Sequence, residues 1–172
     1  MIQNIWNLTS PSQDLSPLKT STDRILSSVV DDVLFDWAGL RPEHCEIQEA
    51  DSNDGYLELG VILHGPRPGL LALRAPLSLG SGLAIAATGD PHALSFEREA
   101  LEELAALLAE RCVASILHTD PVDFAKFRAV SWSKENWPDV PERCQANLQI
   151  LGSRMEVRLW YAYNRVSGPK AV

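Results

Sequence analysis

Between Ser95 and His118 apolar residues recur with the period of an α-helix, whereas before Pro76 and after Asp120-Pro121 the chain breaks into short apolar runs of strand length, closed by turn residues. A long amphipathic helix flanked by strands buries its stripe against a sheet, so this ordering specifies an α+β domain. At 100° per residue, Leu101, Leu104, Ala105, Leu108, Cys112 and Ile116 share one side of the helix. Glu99, Glu102, Glu103, Ala106 and Glu110 share the other, which is expected to face water. Ser95 is the expected N-cap, and Glu97 and Glu99 complement the dipole of the first turn.

The rest of the chain fits around this helix. A Ser-, Pro- and Thr-rich stretch from Thr9 to Thr22 reads as part of a loose leader, 1–22. Thr22 or Asp23 then caps a helix over Arg24 to Ala38, closed by Gly39 and Pro42. A short strand is expected at Cys45 to Glu49. Tyr56 to His64 and Leu70 to Leu73 form a hairpin across Gly65-Pro66-Arg67-Pro68-Gly69, and a short apolar helix covers Pro76 to Thr88. Three further strands follow, Phe127 to Ser133, Ala146 to Leu151 and Met155 to Tyr163, with a loop containing Trp132, Trp137 and Pro138 after the first. Three strands alone cannot bury both faces, so one antiparallel sheet with a long and a shorter helix packed on it is expected. The domain runs over 23–164, and 165–172 is a C-terminal tail.

Composition removes several functions. A length of 172 residues suits one domain, and 15 Lys and Arg against 23 Asp and Glu leave a net charge of −8, which disfavours nucleic acid and anionic membrane as partners. The start of the chain has no basic, apolar signal pattern and no run spans a bilayer, so a cytoplasmic location is expected. Cys45, Cys112 and Cys144 are far apart and odd in number, and His44, His64, His92 and His118 are scattered, so no metal site is expected. Leu79-Gly80-Ser81-Gly82-Leu83 lacks the Lys and Ser/Thr of a P-loop and the spacing of a nucleophile elbow.

With the elements in this order, from Arg24 to Tyr163, the chain resembles the CheX branch of the CheC/CheX/FliY chemotaxis phosphatases. The residues that carry the likeness are Leu59-Gly60-Val61-Ile62-Leu63-His64-Gly65, Gly69-Leu70-Leu71-Ala72-Leu73 and Pro76, followed by the short helix at Leu77 to Thr88 and the acidic start of the long one. In that family a Glu-x-x-Asn motif on a helix enters the active site of a phosphorylated CheY-type receiver domain. Residues three apart on a helix project side by side, so the Glu engages a receiver Lys while the Asn orients water toward the acyl phosphate. The resemblance places the motif Glu at Glu103, within Glu103-Leu104-Ala105-Ala106, and the Asn position at Ala106. It therefore implies a receiver-docking surface of Glu103 with Glu99, Glu102, Ala106 and Glu110, and phosphatase activity weak or lost, because alanine has no amide to orient water. It implies no cofactor, since any Mg would be carried by the receiver, and a homodimer.

Two other readings compete. The chain fits a non-catalytic homodimeric adaptor whose sheet edge pairs with a second copy, the acidic helix face then being a solvated surface. A hot-dog-type enzyme, suggested by a long helix on an antiparallel sheet and the His64-Gly65 step, would need a substrate tunnel ending at a buried carboxylate or amide. Asn136, in the loop from Trp132 to Pro138, is a conceivable replacement for the motif amide, but Asn is so favoured in turns that it reads as an ordinary turn residue and takes no assigned role.

Overall fold

The computed structural model describes residues 21–45, 55–64, 67–117, 127–132, 134–138 and 142–161. Their order is α1 (Ser21–Ala38), β1 (Glu43–His44), β2 (Tyr56–Leu63), β3 (Gly69–Pro76), α2 (Leu77–Thr88), α3 (Glu97–Ser115), β4 (Ala129–Ser131), β5 (Cys144–Ile150) and β6 (Ser153–Tyr161). The six strands form one sheet in the order β1-β5-β6-β3-β2-β4, and every pair is antiparallel. This single α+β domain matches the expected architecture. The leader over 1–20 and the tail 165–172 lie outside the described residues.

Strand alternation divides the side chains between two faces. Leu59, Val61 and Leu63 of β2, Leu71 and Leu73 of β3, and Val157 and Leu159 of β6 point to the face that carries α1 and α3, where they join the main core. Gly60 and Ile62, Leu70 and Ala72, and Trp160 point the other way. There Leu70, Ala72 and Trp160 make a second cluster, covered by Ile62, Trp132 and Trp137. The Trp137 and Trp160 rings meet edge to face with centroids 5.5 Å apart, and the Arg158 guanidinium lies 4.6 Å above Trp137. Trp132 presses on the backbone of β2, where a Cβ at Gly60 would come within 2.9 Å of its side chain.

Several boundaries differ from the sequence reading. α1 already begins at Ser21, so neither Thr22 nor Asp23 caps it. Asp23 Oδ1 instead accepts a hydrogen bond from the Gln145 backbone N–H at 2.8 Å, tying the helix to β5. Ser95 does not cap α3: it lies in a 3-10 turn, Pro91–Phe96, and Phe96 occupies the N-cap without a side-chain bond. The capping signal sits upstream in Asp90-Pro91, where Asp90 Oδ1 accepts from His92 N–H at 2.8 Å. β1 is Glu43–His44, continued by one bond from Cys45 N–H to the Asn147 carbonyl at 3.0 Å; of the strand expected at Cys45 to Glu49, positions 46–49 lie outside the described residues. β4 is confined to Ala129–Ser131, and β5 begins two residues early, at Cys144. The β5–β6 connection is the two-residue turn Leu151-Gly152, with φ of 49° and 76°. Positive φ at both positions is the tight hairpin geometry that suits the sheet's twist, and glycine meets it at no steric cost.

Contacts with α2, α1 and β4 fix the position of α3. α2 lies so close to its start that a Cβ on Gly80 would fall 1.9 Å from the Glu97 carbonyl oxygen, and Ser81 Oγ donates to the Glu97 carboxylate at 2.9 Å. Arg111 of α3 reaches Asp36 of α1 at 3.2 Å. Arg98 donates to Ser131 Oγ of β4 at 2.7 Å. Among the described residues no helix is long and apolar enough to cross a membrane.

Candidate functional site

The buried stripe of α3 follows the periodicity: Leu101, Leu104, Ala105, Leu108, Cys112 and Ile116 are all buried. Ala100, Ala109 and Val113 are buried too, so the packed arc is broader than the stripe read from the sequence, because α3 is wedged between α1, α2 and the sheet.

The five residues of the opposite face are in different situations. Glu99 and Glu103 are exposed, and neither makes an ion pair or hydrogen bond among the described residues. Glu102 is half-buried and is engaged by Arg98 Nε at 2.8 Å, an i,i+4 pair in which Arg98 also holds Ser131. Ala106 and Leu107 are half-buried, leaving a shallow apolar step one turn beyond Glu103, and Glu110 borders it, also half-buried. The surface thus offers one exposed carboxylate at Glu103, a second at Glu99 a turn earlier, and the half-buried Ala106 methyl group beside Glu103. Arg98 was not among the sequence candidates, although its spacing to Glu102 was readable; its link to Ser131, 33 residues away, was not.

No carboxamide from the described residues reaches this surface. Asn136 lies beyond the sheet: its backbone carbonyl accepts from Trp132 Nε1 at 3.1 Å, and Trp132 covers Gly60 on the face away from the helices. Asn147, Gln145 and Gln149 alternate with the core residues of β5 and point to the same far face, where Gln145 Nε2 reaches Asn147 at 3.3 Å and Glu156 at 3.1 Å. Asn136 therefore lies away from Glu103 and Ala106 within one copy of the chain.

Metal and thiol chemistry find no better footing. No cluster of three or more His, Cys, Asp or Glu side chains with metal-binding geometry occurs among the described residues. His44 Nε2 meets Asp31 at 2.8 Å, joining β1 to α1 at the surface. Burial, then the neighbouring Cys144, pushes the Cys112 thiol far up; burial, then Asp23 and Glu142, pushes Cys144 up to about 12. Both stay protonated at neutral pH and are poor nucleophiles.

No protein-family model matches the sequence, and no curated protein does. Solved structures do. A chemotaxis protein from Desulfovibrio vulgaris Hildenborough superposes with a TM-score of 0.55 at 13% identity, covering 84% of this chain and 98% of that one. CheX from Desulfovibrio desulfuricans gives 0.56 at 10% identity, covering 83% and 100%. CheX from Borrelia burgdorferi, solved as a CheX-CheY-BeF3-Mg complex, gives 0.54 at 12% identity, covering 81% and 97%. These matches define the class: an antiparallel sheet with helices on one face, built along nearly the whole length of each relative. Within that class the fold of this chain is that of CheX, as the resemblance read from the sequence implied.

Proposed function

We propose that this chain docks a CheY-type phosphorylated receiver domain through α3 and retains little or no phosphatase activity of its own. The observation that carries the reading is Glu103, exposed and without a bonded partner among the described residues, beside Ala106 on a helix of a fold shared with a CheX that was solved bound to CheY. Side chains three apart on a helix stand about 5–6 Å from one another at Cβ, close enough to enter one active site together. Glu103 supplies a carboxylate for a receiver cation, while Ala106 supplies neither donor nor acceptor, so water beside the acyl phosphate is left unoriented. The described carboxamides lie beyond the sheet and do not compensate. One positioned amide of this kind contributes roughly 10²–10³-fold, which is the size of the deficit expected.

In this reading Glu99 and Glu110 extend the contact along the helix, and Arg98 holds Glu102 away from the partner. Any Mg belongs to the receiver. Homodimerisation and a cytoplasmic location belong to the same proposal, the former supported by β1 and β4, the terminal strands of the described sheet. The test follows acyl-phosphate loss from a phosphorylated receiver of the same organism with wild type, Ala106→Asn, and Ala106→Asn combined with Glu103→Ala. The expected result is an inert wild type, a gain with Ala106→Asn, and loss of that gain without Glu103. Wild-type hydrolysis at a rate that Ala106→Asn does not raise contradicts the loss of activity.

A further inference from the structure

Two large apolar side chains stand in solvent immediately ahead of α3: Leu94 is 55% exposed and Phe96 is 56% exposed. The turn that presents them is tied down on both sides. Asp90 accepts from His92 N–H at 2.8 Å through its side chain and from Ala93 N–H at 3.1 Å through its carbonyl. Ser81 Oγ lies 3.3 Å from the Leu94 carbonyl and 2.9 Å from the Glu97 carboxylate, sharing its one proton between them. Scattered exposed apolar residues need no explanation, but a pair held on a pinned turn at the end of a proposed contact face is a different case. Phe96 is the N-cap of α3 and lies seven residues before Glu103, so the two are about 10 Å apart along the helix axis. One interface patch of roughly 800 Å² spans that distance easily.

We infer that Leu94 and Phe96 form the apolar anchor of the α3 docking surface, and that the receiver meets them with an apolar patch beside the cationic side chain that faces Glu103. The inference rests on the receiver-docking reading. It adds to an acidic strip, which alone would bind weakly and lose strength with salt, a pair of apolar side chains whose burial does not depend on salt. Because the turn is already held by Asp90 and Ser81, little ordering is lost when the partner covers it.

The test measures binding of the full chain to a receiver activated with beryllofluoride and Mg²⁺, comparing wild type, Phe96→Ala, Leu94→Ala, Glu103→Ala and Val130→Ala, with circular dichroism confirming that each is folded. Val130 is exposed but lies on the far face of the sheet, opposite Gly60. Phe96→Ala and Leu94→Ala should each weaken binding about tenfold or more, while Val130→Ala leaves it unchanged. If both anchor variants bind like wild type while Glu103→Ala loses binding, the anchor is refuted and the docking reading stands. Equal damage from Val130→Ala also refutes it. No binding by wild type overturns the docking reading and the anchor together.

Discussion

Replacing Gly80 with alanine puts a methyl carbon where α2 and α3 leave no room. The new Cβ would lie 1.9 Å from the Glu97 carbonyl oxygen, 2.6 Å from its carbonyl carbon and 2.9 Å from its Cα. All three are backbone atoms in the first turn of α3, so relief requires the two helices to separate by about an ångström. Gly-to-Ala in a helix is intrinsically favourable by about 0.8–1 kcal/mol, whereas forcing extra volume into a packed contact costs about 1–3 kcal/mol and at times more. Here separation also loosens Leu79 and Leu83 of α2 from the core they share with Leu101 and Leu104. The second effect wins, and Gly80→Ala should destabilise the domain by about 1–3 kcal/mol, with Tm falling about 2–4 °C for each kcal/mol. Gly82, two residues on, is the internal control. Its Cβ would meet only Leu151 Cδ1, at 2.8 Å, the end of a side chain 54% exposed and able to turn away. Gly82→Ala should therefore be neutral or stabilising by up to about 1 kcal/mol. Urea unfolding of the two variants beside wild type decides the matter. Equal midpoints for Gly80→Ala and Gly82→Ala would refute the reasoning, because the two differ only in what the added carbon meets.

Further expectations rest on other parts of the fold. Trp160→Ala removes the centre of the far-face cluster and should cost about 3–5 kcal/mol, read by urea unfolding; a loss under about 1 kcal/mol contradicts its place under Trp137. A thiol reagent should modify native protein at Cys45 and reach Cys112 and Cys144 only after unfolding; rapid labelling of all three in the native state overturns the burial argument. The Cys144 thiol stays protonated up to about 12 in the folded chain against 9.0 ordinarily, so the unfolded chain gives up its proton first. Its contribution is complete below about pH 9 and is lost as pH rises toward 12; a urea midpoint that does not fall between about pH 8 and pH 10 contradicts this.

The parts of the fold that rest on local period were legible in the sequence. α1, α2, the buried stripe of α3 and the β2–β3 hairpin follow from apolar spacing and from Gly and Pro punctuation, because each is decided by residues within a few positions. What depends on distant neighbours was not. Nothing local says that β6 pairs with β3, or that Asp23 would leave the cap of α1 for the Gln145 backbone. Ser95 has the sequence signature of a cap because it precedes acidic residues, yet it lies inside the 3-10 turn that Asp90-Pro91 opens. The candidate site divides in the same way. The exposure of Glu103 follows from helical projection; the capture of Glu102 through Arg98 and Ser131, and the removal of Asn136 to the far face by Trp132, needed the folded chain.

The central claim is that Glu103 on α3 meets an activated receiver. The measurement that tests it most directly is the affinity of the full chain for a receiver with and without beryllofluoride and Mg²⁺, for wild type and Glu103→Ala. The account predicts that wild type binds the activated form preferentially and that Glu103→Ala weakens this by at least about tenfold, the loss of a well-placed charged contact. Equal binding by wild type and Glu103→Ala, or none by either, would contradict it and leave α3 a solvated face of an adaptor module.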